Sequence, residues 1–113
     1  MLDITEEKAK AIFKYIASNL RCNDVKITNY IEDLNSIYNV LMARDIETHK
    51  WFSLFLIDHN RRGYFIDGTN YISMLDKIIK YKYIALSGRK YKIPNSLEEL
   101  FIEMDLKKKK KKK

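Results

Sequence analysis

Apolar residues near the start of the chain repeat with the spacing of one helical face. They recur at intervals of three and four, and they are Ala9, Ile12, Phe13, Ile16, Ala17 and Leu20. Asp3 is suited to cap such a helix, with Glu6 three residues later as in a capping box. The pattern therefore predicts a first helix over residues 4–21.

A second apolar repeat follows, again with spacings of four and three. Its members are Ile27, Ile31, Leu34, Tyr38 and Leu41. This spacing predicts a second helix over residues 27–43. The polar pair Asn35 and Ser36 interrupts it, so the alternative is a turn between two shorter helices, 27–34 and 36–44. The pattern leaves both alternatives open.

The middle of the chain has the character of a β-hairpin. Residues 51–57 are nearly all apolar and rich in aromatic side chains, as in a buried strand. A five-residue loop containing glycine, residues 59–63, leads to a second short apolar run at 64–66. Trp51 and Phe55 are interpreted as core residues because their neighbours are apolar.

Turn residues at 67–70 precede a predicted third helix that ends near Lys80, with Asp67 or Thr69 as its cap. Its apolar positions are Ile72, Leu75, Ile78 and Ile79. A second hairpin is predicted from residues 81–86 and 89–93, which flank Ser87 and Gly88.

Pro94 ends this hairpin, and Asn95 or Ser96 can cap a final helix. The buried positions of that helix are Leu97, Leu100, Phe101 and Met104. The predicted fold is a single α+β domain over residues 1–106, in the order ααββαββα, with a disordered poly-lysine tail at 107–113.

If residues 27–44 form two helices, the element order of the first 66 residues resembles a winged helix-turn-helix domain. The resemblance is one of element order alone. It implies that residues 37–44 form a recognition helix for DNA and that Arg61 and Arg62 lie on the wing.

Charge is distributed unevenly along the chain. The net charge of +7 comes from 22 Lys and Arg against 15 Asp and Glu, and residues 107–113 are all lysine, so the remainder is neutral. Residues 51–95 hold three acidic and eight basic residues, whereas residues 96–106 hold four acidic residues and no basic one. A basic hairpin region therefore precedes an acidic helix.

The basic region interleaves cations with tyrosines, a combination suited to phosphates and exposed bases. The candidate nucleic-acid-binding residues are Arg61, Arg62, Lys80, Lys82, Tyr83, Arg89, Lys90, Lys92, Lys107, Lys108, Lys109 and Lys110. A two-residue turn at Ser87 and Gly88 would place Tyr83 opposite Lys92. The alternative is a solvated hairpin whose lysines protect a sheet edge.

The leading hypothesis is a small non-enzymatic nucleic-acid-associated protein, with the tail holding phosphates or an acidic membrane surface. The alternative is a protein-interaction module, such as a small viral or phage effector, a subunit of a larger complex or a homodimer. It would dock through the acidic helix, 96–105, or an uncovered sheet edge.

No cofactor, metal or catalytic residue is predicted. His49, His59 and Cys22 lack zinc-ligand spacing, and neither histidine has a sequence neighbour that suggests a nucleophile or base pair. No apolar stretch is long enough to span a bilayer. The expected location is the cytoplasm, or the nucleus in a eukaryote.

Overall fold

The computed structural model describes residues 4–111, with side chains as far as Leu106. Within this part the elements are α1 (Glu6–Ser18), β1 (Cys22–Asp33), β2 (Ser36–Asp45), β3 (Trp51–Ser53), β4 (Phe55–Ile57), β5 (Gly63–Phe65), α2 (Tyr71–Ile78), β6 (Tyr83–Leu86), β7 (Arg89–Lys92) and α3 (Leu97–Lys111). The α+β class is confirmed. The predicted disordered tail at 107–113 is not confirmed: the backbone of residues 107–111 continues α3, and residues 112–113 lie outside the described part.

The first helix lies where the periodicity predicts it, and its apolar face is buried. Thr5 caps it, accepting the backbone N–H of Lys8 at 3.1 Å, whereas Asp3 lies outside the described residues. The Glu6 carboxylate reaches across to α2 and accepts the backbone N–H groups of Tyr71 and Ile72, both at 2.9 Å. A residue suited to the start of its own helix thus stabilises the start of another.

The predicted second helix is wrong, because residues 22–45 form an antiparallel hairpin of two long strands. Its turn lies at Leu34 and Asn35, where the Asp33 side chain accepts the backbone N–H of Asn35 at 2.8 Å. The apolar residues at helical spacing do not share a face, since Leu34 lies in the turn and is 98% exposed.

The two-helix alternative and the resemblance to a winged helix are overturned by the same observation. Residues 37–44, the proposed recognition helix, lie in strand β2 and pair with β1 and β3. β-branched residues favour the pleated conformation over the helix, and β1 and β2 together hold six: Val25, Ile27, Thr28, Ile31, Ile37 and Val40.

The predicted strand 51–57 is one extended segment that bends at Leu54 and serves two sheets. β3 completes a first sheet of order β1-β2-β3, and β4 belongs to a second sheet of order β5-β4-β6-β7. Leu54 is fully buried, donates its N–H to Leu41 O at 3.0 Å and accepts that of Ile66 at 3.1 Å. The bend therefore joins the sheets, as strands do at barrel corners.

The third helix is confirmed, but its cap is Asn70 rather than Asp67 or Thr69. Asn70 and Ser73 form a capping box, with the Asn70 side chain accepting the Ser73 N–H at 2.8 Å. Gly68 permits this arrangement, because a Cβ there would lie 2.6 Å from the Ser73 hydroxyl.

The second hairpin has the predicted register. Tyr83 pairs with Lys92 and Leu86 with Arg89, and Ser87 and Gly88 both have positive φ in the turn. The final helix is also confirmed, since the Ser96 hydroxyl accepts the N–H of Glu99 at 3.2 Å.

One hydrophobic core lies between the helices and the two sheets. Its fully buried members include Phe13 of α1, Leu41 of β2, Leu75 of α2, Ile84 of β6 and Leu100 of α3. Among the residues described, no helix has the length and apolar character needed to cross a membrane.

Candidate nucleic-acid interface

The second sheet has one buried face and one face turned away from the core. Leu56, Ile84 and Tyr91 lie opposite one another on neighbouring strands and are buried. Because side chains alternate along a strand, the flanking rows lie on the other face, called here the outer face. These rows are Phe65–Phe55–Ala85–Lys90 and Gly63–Ile57–Tyr83–Lys92.

Aromatic rings line part of the outer face. Phe55 stacks on Phe65 with ring centroids 4.8 Å apart, and Phe65 in turn lies 4.7 Å from the ring of Tyr30 on β1. Phe55 and Tyr30 are each 36% exposed. The interpretation of Phe55 as a core residue is wrong, since its neighbours Leu54 and Leu56 take the buried positions of the bent segment.

Cationic side chains surround a depression of about 350 Å³ beside this face. It is lined by Lys80, Lys82, Tyr83 and Lys92, four of the predicted site residues, together with His59. Main-chain hydrogen bonds of Lys82 hold the segment in place: its N–H donates to Ile57 O and its carbonyl accepts from Ile93, both at 2.9 Å. Among the described residues, the lining of the depression contains no carboxylate.

Lys90 extends the cationic rim along β7. Its Nζ lies 5.7 Å from the centre of the Tyr83 ring, within the range of a cation–π interaction. One sheet surface thus carries phenylalanines toward β5 and a tyrosine and two lysines toward β7.

Arg61 and Arg62 lie in the exposed β4–β5 loop, which Asp58 organises. The Asp58 carboxylate accepts the N–H groups of Asn60 at 2.8 Å and Arg62 at 3.2 Å, and it pairs with the Arg62 guanidinium at 3.1 Å. Although desolvation opposes the change, these hydrogen bonds and the Arg62 charge lower the pKa of Asp58. Arg62 therefore has a carboxylate partner, while Arg61 is exposed at the tip with φ 64°.

Arg89 has a structural role that its sequence position did not indicate. Its guanidinium lies 2.6 Å from the buried carboxylate of Asp45 and donates to Leu20 O at 3.0 Å. These contacts occupy the guanidinium and leave Arg89 outside the candidate interface. The predicted contacts of Lys107, Lys108, Lys109 and Lys110 concern side chains outside the described part.

An aromatic pocket of about 290 Å³ lies at the other end of the outer face, and sequence reasoning missed it. Its lining is Tyr38, Phe55, Gly63, Tyr64, Phe65 and Asp67. The sequence did not indicate this pocket because Tyr38 was assigned to a predicted helix and Phe55 to the core. Two phenylalanine rings and the exposed ring of Tyr38 thus share this lining with a single carboxylate.

The described residues contain no group of three or more His, Cys, Asp or Glu side chains that could hold a metal ion. Cys22 is buried at the start of β1, and burial raises the pKa of its thiol. The site offers cations and aromatic rings. No protein-family model, curated protein or solved structure matches this chain.

Proposed function

We propose that the protein binds single-stranded nucleic acid, without catalysing a reaction, on the outer face of the second sheet. The observation that carries the proposal is that the lysine-lined depression includes the half-buried ring of Tyr83, which lies on the same sheet face as the exposed ring of Phe55. Cations that attract phosphates and flat rings that stack on bases are the two components of such surfaces.

The depression supplies the phosphate contacts. Lys80, Lys82 and Lys92 line it together, and their ammonium groups can neutralise adjacent phosphates along one strand. Lysines 107–113 would add an attraction that is independent of base sequence and weakens with salt. The outer face and the tail would then bind the same nucleic-acid strand.

The rings favour single strands over duplexes. Stacking on a side chain requires an unstacked base, which a loop or a free strand offers and a duplex does not. Each base stacked on an aromatic ring contributes about 1–3 kcal/mol of binding free energy. Tyr83 lines the depression and pairs with Lys92, and it is the first candidate for this contact.

Fluorescence anisotropy with short labelled single-stranded and duplex oligonucleotides, measured over a salt series, tests the proposal. The triple variant Lys80→Gln, Lys82→Gln, Lys92→Gln should bind single strands more weakly, and its log–log salt slope should be smaller by about two. The matched control is Lys8→Gln, Lys14→Gln, Lys50→Gln, which changes the same number of exposed charges. Equal losses in both variants would reject the outer face as the site.

Two substitutions at Tyr83 separate stacking from electrostatics. Tyr83→Leu removes the ring and should weaken single-strand binding by about 1–3 kcal/mol, with the salt slope unchanged. Tyr83→Phe keeps the ring and should bind as the wild type does. If Tyr83→Leu also binds like the wild type, no base stacks on the Tyr83 ring.

A second candidate function is association with another protein, homodimerisation included, through the tip of the β1–β2 hairpin. Ile31, Leu34 and Ile37 are 65%, 98% and 62% exposed there, an unusual concentration of apolar surface. The acidic helix is a weaker docking surface, because Glu99 accepts the N–H of Asn95 and Glu103 accepts hydrogen bonds from two tyrosines.

Sedimentation velocity over a range of protein concentrations tests the homodimer. The wild type should sediment faster as concentration rises, and the double variant Leu34→Ser, Ile37→Thr should not. A wild type that remains monomeric throughout would exclude self-association at the tip.

A further inference from the structure

The aromatic pocket combines flat walls with one hydrogen-bonding group. Phe55 and Phe65 stack on each other in its lining, and Tyr38, 38% exposed, adds a third ring. Its volume of about 290 Å³ lies near the lower end of the roughly 300–1,000 Å³ typical of small-molecule sites. A space of this size and character suits a planar ring system such as a single nucleobase.

Asp67 is the charged residue of the pocket and is held in place from two sides. Its backbone bridges to Val40 of β2, and its Oδ1 lies 2.9 Å from Lys77 Nζ on α2. The side chain nevertheless remains 41% exposed. An ionised carboxylate accepts hydrogen bonds only, and its two oxygens can take two parallel N–H donors from one partner.

Guanine is the base whose Watson–Crick edge carries two adjacent N–H donors, N1–H and the N2 amino group. Adenine and cytosine place an acceptor beside their amino group, and uracil and thymine place a carbonyl on each side of a single N–H. A carboxylate would meet an acceptor lone pair on each of these other bases. The edge is open to recognition in single strands, where bases can be splayed out.

We infer that the aromatic pocket selects guanine, with Asp67 accepting the N1–H and N2 amino hydrogens while the surrounding rings stack on the base. The inference rests on the proposed function, because it places a base of the bound single strand beside the outer face. It adds a base preference to a surface whose other contacts are independent of sequence.

The test compares short oligothymidines that carry one central deoxyguanosine, deoxyinosine, deoxyadenosine or deoxycytidine, by anisotropy with the full chain. The deoxyguanosine oligonucleotide should bind roughly tenfold more tightly than oligothymidine, within the range that a bidentate base contact gives. Deoxyinosine, which lacks the N2 amino group, should lose most of this advantage. This ligand change tests the contact without altering the protein.

Two variants locate the preference on the protein. Asp67→Asn should bring the ratio of deoxyguanosine to thymidine affinity close to one, because the carboxamide presents a donor where guanine needs an acceptor. Asp76→Asn is the matched control: it makes the same change at an exposed carboxylate outside the pocket lining, so the ratio should persist.

The outcomes separate the inference from the proposed function. Equal affinity for all oligonucleotides, or a guanine preference that survives Asp67→Asn, overturns the guanine pocket while single-strand binding stands. A wild type that binds none of the single strands overturns both. A preference for deoxyguanosine that is lost with deoxyinosine and with Asp67→Asn supports the pocket.

Discussion

Arg89 and Asp45 form an ion pair that ties the second sheet to the first, with Arg89 Nη1 2.6 Å from Asp45 Oδ2. The carboxylate is almost fully buried and also accepts the backbone N–H groups of Glu47 and Thr48, both at 2.9 Å. Arg89 donates in addition to Leu20 O at the end of the first helix. Three parts of the fold therefore meet at one guanidinium.

Replacing Arg89 should affect stability rather than binding. Arg89→Gln leaves the buried Asp45 carboxylate without its charged partner, which is strongly unfavourable. Urea unfolding should show a clearly lower midpoint than the wild type. The neighbouring Lys90→Gln is the control, because this exposed change should alter the free energy of unfolding by no more than about 0.5 kcal/mol. Similar midpoints for the two variants would contradict the structural role of Arg89.

The same carboxylate makes the fold sensitive to acid. Hydrogen bonds from the Thr48 N–H, from Arg89 and from the Glu47 N–H hold the pKa of Asp45 well below its ordinary value of 3.8. A lowered folded-state pKa gives a stabilising contribution that is complete above the ordinary value and is lost as the pH falls below it. The wild type should therefore lose stability below about pH 4.

The variant Asp45→Asn isolates this contribution. Its urea midpoint, measured at a series of pH values, should be lower than that of the wild type at neutral pH. It should then decline less on acidification, because one proton-linked group is missing. Parallel pH profiles would show that Asp45 titrates normally.

Alkaline pH should weaken the attachment of α3. The Glu103 carboxylate accepts hydrogen bonds from the hydroxyls of Tyr15 on α1 and Tyr91 on β7, the latter at 2.6 Å. Burial, followed by the hydrogen bond to Glu103, raises the pKa of Tyr15 to about 12 and also raises that of Tyr91. Neutral phenols are thus favoured in the folded state. Their stabilising contribution is complete below about pH 10 and is lost as the pH rises further.

Phenolate absorbance during a pH titration can follow this change. Tyr15 and Tyr91 should ionise above the ordinary tyrosine pKa of 10, and the double variant Tyr15→Phe, Tyr91→Phe should lose amplitude from the late portion of the titration. Its stability should also depend less on pH above about pH 10. A titration in which all tyrosines ionise together would contradict the arrangement.

Packing of α3 against the body can be measured with two substitutions two residues apart. Leu100 is fully buried, so Leu100→Ala should lower the free energy of unfolding by about 2–5 kcal/mol. Ile102 is 60% exposed, and Ile102→Ala should change it by no more than about 0.5 kcal/mol. Equal effects would indicate that the helix does not dock as described.

Sequence patterns correctly predicted the elements for which the spacing of apolar residues, the turn residues and the composition all indicated the same structure. The β6–β7 hairpin was predicted in its correct register, because Ser87 and Gly88 can adopt the positive φ that a two-residue turn requires. In β1 and β2 the signals disagreed. The spacing of Ile27, Ile31 and Leu34 matched a helix by coincidence, and the β-branched composition was the better guide.

The candidate site was predictable where its residues are neighbours in the chain. Lys80, Lys82 and Tyr83 follow one another closely, and Lys92 joins them through a hairpin whose register was already predicted. The aromatic pocket was not predictable, since its walls come from strands and loops brought together by the bend at Leu54. Nor could a sequence reveal that Arg89 is occupied by Asp45, which lies 44 positions earlier.

The bend at Leu54 also bears on how the molecule opens. Its amide and carbonyl bond to Leu41 and Ile66, so the backbone of one residue closes hydrogen bonds to two other segments at once. Neither sheet can separate from the other without breaking these bonds and exposing a buried leucine. The sheets should consequently behave as one cooperative unfolding unit, with the amides of Leu41, Leu54 and Ile66 exchanging with solvent at a common free energy.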